Sequence, residues 1–181
     1  MKRVIWHPYD DILASASYDD TIKLYCEELD DWSCVTTLKG HNSTVWGIDF
    51  NSTGQHIVSC SDDKTLKFWS REPNASGKKD KETKFCASAA ISDNHSRPIY
   101  DVSWSKVSDL VATACGDNCV RVFRTNTDSS DLPDVPNFEL SVKECEAHQG
   151  DVNAVSWNPK VGGVLASCGD DGLVKIWHYD I

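Results

Sequence analysis

His41, Ser59 and Asp63 are the three residue types of a serine hydrolase, and they fall within one short stretch, GHNSTVWGIDFNSTGQHIVSCSDD. A histidine oriented by a carboxylate can take the proton of a hydroxyl and turn it into a nucleophile. The eight cysteines offer a second chemistry, thiolate ligation of a metal or cluster. None of them falls in a C-x-x-C pair. The nearest approach to a ligand pair, Cys115 and Cys119, brackets a turn between two strands and has no histidine at ligand spacing. Cys60 and Cys168 recur at a place where related segments carry Ala16 and Ala114, so the position calls for a small buried side chain. The expectation is no catalytic residue, no metal and no cofactor, and the reason lies in how often the triad is written.

The chain says nearly the same thing four times. LASASYDDTIKLY ends at Tyr25, IVSCSDDKTLKFW at Trp69, VATACGDNCVRVF at Phe123 and LASCGDDGLVKIW at Trp177. Nineteen residues before the first three stand Trp6, Phe50 and Trp104, and twenty before the fourth stands Trp157. Within each unit short β-branched or aromatic runs are divided by Gly, Asn, Asp and Ser, which reads as strands and tight turns. A fourth strand follows in CVTTLKG, KFCASAAIS and FELSVKECEA. Four antiparallel strands recurring at intervals of 44 to 54 residues is the period of β-propeller blades.

Repetition separates a fastening from a catalytic site. His41, His95 and His148 each lie four residues before Val45, Ile99 and Val152, and each is followed by a turn aspartate, Asp63, Asp117 or Asp171. Each set also has a hydroxyl on the second strand, Ser59, Thr113 or Ser167, and a closing aromatic, Trp69, Phe123 or Trp177. An enzyme seldom needs three nucleophiles, whereas a repeat architecture needs its clasp in every unit. An imidazole between a carboxylate and a hydroxyl satisfies polar groups whose unpaired burial would cost about 1–3 kcal/mol each.

The Gly40-His41 pair, the aspartate turn and the endings KFW and KIW resemble the WD40 family, and all four units carry these marks. Within the family, LASASYDDTIKLY, DDWSCVTTLKGHNSTVW, IYDVSW, ATACGDNCVRVF and AHQGDVNAVSWNPK are similar to the later repeats of the member that serves cytosolic iron-sulfur cluster assembly. The resemblance implies a non-enzymatic protein–protein interaction scaffold that helps deliver clusters to cytosolic and nuclear apo-proteins. Its implied partners are the other subunits of the targeting complex and the client apo-proteins, and its implied location is the cytoplasm with the nucleus as a second compartment. A WD40 adaptor in an unrelated pathway is the alternative, because a fold alone does not set a function. The fold class implied is all-β, a partial WD40 β-propeller with four repeats of an expected seven-bladed ring. One domain over residues 1–181 is expected, with repeats at about 1–38, 39–92, 93–146 and 147–181.

The first unit lacks a dyad histidine, and the last is followed only by HYDI, so the last blade is expected to lack its fourth strand. In the family that strand comes from the chain's own N-terminal segment, so the C-terminus reads as natural and an N-terminal half as missing. Open terminal blades would then expose apolar faces and an unpaired strand edge, which invites self-association. Charge narrows the partners: a formal net charge of -10 disfavours nucleic acid, and no apolar run is long enough for a membrane span. The basic run KKDKETK and the insertions REPNASGKKDKET and RTNTDSSDLPDVPN read as solvated loops.

If clasps fill the interior of the turns, binding must use what protrudes beside them. The positions just after the start of each first strand, Lys2, Trp46, Tyr100 and Asn153, and those before each turn aspartate, Tyr18, Asp62, Gly116 and Asp170, are expected on one rim. Thr44, Pro98 and Asp151, at the entry to the strands, join them as candidate protein-binding residues. Three large aromatics there read either as interface anchors or as packing between blades. Asp62, Asp151 and Asp170 would make the rim negative and suited to a basic partner.

Overall fold

The computed structural model of the chain describes residues 1–28, 31–72, 84–125 and 138–180. Among the described residues fifteen strands are arranged in four separate antiparallel sheets, and none is helical. The first blade is β1 (Arg3–Trp6), β2 (Ile12–Ala16), β3 (Thr21–Glu28) and β4 (Asp31–Lys39). The second is β5 (Val45–Phe50), β6 (His56–Ser61), β7 (Leu66–Arg71) and β8 (Phe85–Ile91). The third is β9 (Ile99–Trp104), β10 (Val111–Cys115), β11 (Val120–Thr125) and β12 (Phe138–Glu144), and the fourth is β13 (Val152–Trp157), β14 (Val164–Gly169) and β15 (Val174–His178). Each sheet is a simple meander in chain order, the fourth having three strands. This is a partial β-propeller. The two long insertions and most of the basic run fall largely outside the described residues.

The middle strands are buried on both faces, which is why their sequences run apolar without the alternation of a half-exposed strand. Successive side chains point to opposite faces, so neighbours in sequence enter different cores. Ile57 and Trp69 pack against the first blade beside Ile48 and Phe50, while Val58 and Phe68 pack against the third beside Val102 and Trp104. A third apolar slab between blades three and four contains Ala112, Val122, Val155, Trp157 and Leu165. The core is therefore three layers between four sheets.

Polar ties run through the same joints. Asp49 accepts the backbone N–H of Trp104 at 2.7 Å, and Asp101 accepts that of Val155 at 3.2 Å, so a carboxylate on one inner strand holds the next. Between blades one and two the His7 Nδ1 accepts the N–H groups of Tyr9 and Asp10, which leaves its Nε2–H to donate to the Gly54 carbonyl at 3.0 Å. Gly54 has a φ of +73°, and a Cβ there would meet the His7 ring at 2.1 Å, so no other residue fits. The outward faces of the end blades differ: Val4 and Trp6 on β1 and Val174 and Ile176 on β15 are exposed.

Candidate functional site: the clasps and the aromatic rim

In the second blade His41 comes from the loop before β5, Ser59 from the middle of β6, Asp63 from the β6–β7 turn and Trp69 from β7. The His41 Nδ1 lies 2.9 Å from Asp63 Oδ2, and its Nε2 lies 2.7 Å from Ser59 Oγ. The Trp69 Nε1–H donates to the same Ser59 Oγ at 3.0 Å. Asp63 also accepts from Asn42 N, Thr65 N and Thr65 Oγ1. Burial alone would raise the Asp63 carboxyl, but hydrogen bonds from His41, Thr65 and Asn42 outweigh it and hold the carboxyl well below its ordinary range. The connectivity is that of a hydrolytic triad, but Ser59 is 0% exposed and its oxygen already serves an indole.

The fourth blade repeats the arrangement. His148 Nδ1 stands 2.9 Å from Asp171 Oδ1 and Nε2 2.8 Å from Ser167 Oγ, which also accepts Trp177 Nε1–H at 2.9 Å. Gly169 is required beside it, because a Cβ there would meet the His148 ring at 2.7 Å.

The third blade departs from this pattern, and the expectation for Asp117 is corrected. His95 Nε2 is 3.0 Å from Thr113 Oγ1, but its Nδ1 is buried with no hydrogen-bond partner among the described residues. Asp117 instead receives both guanidinium nitrogens of Arg121, at 2.9 and 2.6 Å. Arg121 stands where the other units carry Lys23, Lys67 and Lys175, and only a guanidinium offers the planar fork for a bidentate grip. Phe123 has no N–H for Thr113, so the closing bond is absent as well. Burial, helped by the Arg121 charge, lowers His95 from an ordinary 6.5 to about 3, and the ring is neutral at physiological pH. Sequence reasoning missed Arg121; its signal was a single arginine among lysines.

Three of the rim residues share a cause. In three first strands one residue is skipped by the pairing register: Trp46 between Val45 and Gly47, Tyr100 between Ile99 and Asp101, and Asn153 between Val152 and Ala154. Each is thus the extra residue of a β-bulge, a device that re-aims a side chain out of the ladder. The bulges are closed by Asp62 N–H to Thr44 O, Gly116 N–H to Pro98 O and Asp170 N–H to Asp151 O, each at 3.0 Å. Lys2 lies one residue before β1.

These side chains touch across blade boundaries. The Tyr18 and Trp46 rings are 6.1 Å apart and the Trp46 and Tyr100 rings 5.6 Å apart, both edge to face, a geometry worth about 0.5–1.5 kcal/mol per pair beyond burial. The Lys2 Nζ sits 4.0 Å from the Tyr18 ring centre and 3.8 Å from that of Trp46. At the other end Tyr100 OH donates to Asp151 Oδ2 at 3.1 Å, and burial together with that carboxylate raises the phenol. Ser43 donates to Asp62, and Asn153 to Asp170 at 2.6 Å. The aromatics are not equivalent: Tyr18 is 61% exposed, whereas Trp46 packs partly against the core between blades two and three. No group of three or more His, Cys, Asp or Glu side chains with metal-binding geometry exists among the described residues.

Three buried cores between four meander sheets, with histidine–aspartate clasps in the second and fourth, define a WD40 propeller segment. The family description "WD domain, G-beta repeat" matches residues 2–26, 32–70, 86–124 and 140–178, and the chain belongs to that family. Among curated proteins it is 48% identical over 166 residues to "Probable cytosolic iron-sulfur protein assembly protein Ciao1" of Aedes aegypti, covering 88% of this chain and 48% of that protein. It is 51% identical over 164 residues to "Probable cytosolic iron-sulfur protein assembly protein CIAO1 homolog" of Nematostella vectensis, covering 88% and 50%. The chain spans about half the length of the curated relatives it matches.

Proposed function

We propose that the chain is a non-enzymatic scaffold in cytosolic iron-sulfur protein assembly, and that its rim is where partners dock. The likeness to two assembly proteins at 48% and 51% identity supports the pathway. The single observation that supports a scaffold over a hydrolase is the enclosure of Ser59, Thr113 and Ser167, which are 0–2% exposed. A hydroxyl that substrate cannot reach performs no acyl transfer, however well its histidine is placed. The clasps hold the turns, the turns hold the bulges, and the bulges present Trp46 and Tyr100 in a rigid arc that Tyr18 extends from the β2–β3 turn. Rigid, amphipathic rings of this kind lead protein-interface hot spots. Partners are other subunits of the assembly machinery and client apo-proteins; membranes and nucleic acids are not among them, and the working compartment is the cytosol.

Capture from cell extract with Tyr18→Ala as the control tests this reading. Iron-sulfur assembly proteins should be retained by the unchanged chain and lost with the variant. Capture of proteins from an unrelated pathway would favour the adaptor reading instead. An undiminished capture by Tyr18→Ala would remove the rim from the account.

A further inference from the structure

Eight cysteines are present, none in a disulfide, and two of them flank the end of one strand pair. The register of β11 with β12 ends at Val120 opposite Glu144, and Cys119 and Cys145 are the residues one step beyond that pair, where the two strands run into their turns. The equivalent step is seen directly in the first blade, where Thr21 pairs with Lys39. Directly opposed residues of an antiparallel pair have Cα atoms about 4.5 or 5.5 Å apart, and both spacings fall within the range a disulfide spans. The Cys145 side chain is close enough to be among the groups that raise the Cys119 thiol. The remaining cysteines face other residue types: Cys34 pairs with Tyr25, Cys86 with Ser70, Cys26 with Ile12 and Ser33, and Cys60 with Gly47 and Leu66. Cys115 pairs with Ile99, and Cys168 with Ala154 and Val174.

We propose that Cys119 and Cys145 form a thiol–disulfide site that takes small-molecule disulfides as its oxidant and links β11 to β12 beside the Asp117 turn. The two sulfurs have different roles because their surroundings differ. Cys145 is exposed, whereas Cys119 is 6% exposed and its thiol lies 3.2 Å from the Asp117 carbonyl. Burial and the Asp117 carboxylate also hold the Cys119 thiol above its ordinary range. Cys145 therefore reacts first: its thiolate attacks one sulfur of a disulfide RSSR, forming a mixed disulfide and expelling RS⁻, which takes up the proton Cys145 has lost. Cys119 then loses its proton and attacks the Cys145 sulfur, expelling the second RS⁻. The dithiol is oxidised by two electrons, RSSR is reduced to two RSH, and the reverse sequence with excess thiol reopens the bond. In the second blade the Cys119 position is Thr65, so the site belongs to the third blade alone.

The test is incubation of the full chain with oxidised glutathione, alkylation of remaining thiols and peptide mapping by mass spectrometry, with fragmentation to separate Cys119 from Cys115. The expected product is an intramolecular Cys119–Cys145 link reversed by dithiothreitol, with Cys34 and Cys86 carrying only mixed disulfides. Cys119→Ser should instead accumulate the glutathione adduct on Cys145, and Cys145→Ser should leave Cys119 a thiol. If the unchanged chain behaves as Cys119→Ser does, stopping at the Cys145 adduct, or links a different pair, the proposal is wrong. Because that outcome is read on the unchanged chain, the test stands even if a variant fails to fold.

Discussion

The second and third blades have nearly the same parts and connect them differently. In the second, Asp63 holds His41, and Ser59 joins that histidine to Trp69. In the third, Arg121 takes Asp117, His95 keeps one bond to Thr113, and Phe123 contributes none. The turn survives because a bidentate guanidinium fixes the carboxylate as firmly as an imidazole does. The clasp is therefore a way of satisfying a buried carboxylate, and the residue that satisfies it can change.

The comparison can be broken most severely at Arg121. Its side chain is 1% exposed and its partner 11%, so Arg121→Met leaves a nearly buried carboxylate without its ion pair, at a cost of about 3–5 kcal/mol in urea unfolding. A loss below about 1 kcal/mol, the size of an ordinary hydrogen bond, would show that the pair is incidental. Ser59→Ala should come next, at about 1–3 kcal/mol, because one oxygen serves both His41 and Trp69. Thr113→Val in the third blade removes a single bond and should cost less. Equal losses would contradict the difference between the blades.

Acid titration sharpens the comparison at smaller amplitude. His95 is lowered from 6.5 to about 3 on folding, so the unfolded chain binds more protons between those values. Stability is lost as pH falls through that window, and His95→Gln should flatten the slope there. Asp101 acts oppositely: burial raises it from 3.8 to about 6, so stability is lost as pH rises between them, and Asp101→Asn should remove that loss. Unchanged profiles of unfolding free energy against pH in both variants would place these groups outside the buried network. The smallest stability effect belongs to Tyr18→Ala at the rim, about 0.5–1 kcal/mol, since the ring is mostly exposed and loses chiefly its edge-to-face contact with Trp46.

Strands, turns and blade count are legible because the four copies check one another: a β-branched run that recurs before an aspartate turn is not chance. The clasp histidines of blades two and four are legible for the same reason. Arg121 is not, because lysine and arginine at one strand position look alike until the carboxylate is within reach of the fork. Asp49 and Asp101 were equally silent, since their partners are backbone N–H groups of the next blade and carry no residue signature. The rim positions were legible by count, but the reason for them, one skipped residue in the register of three first strands, lies in the backbone.

Paired double-mutant cycles in urea at neutral pH, His41→Ala with Asp63→Ala and His95→Ala with Asp117→Ala, address the central claim most directly. The first pair should couple by about 0.5–3 kcal/mol, as contacting polar partners do, and the second should fall within about 0.5 kcal/mol of additivity. Coupling of equal size in both blades would contradict the rerouting of Asp117 to Arg121.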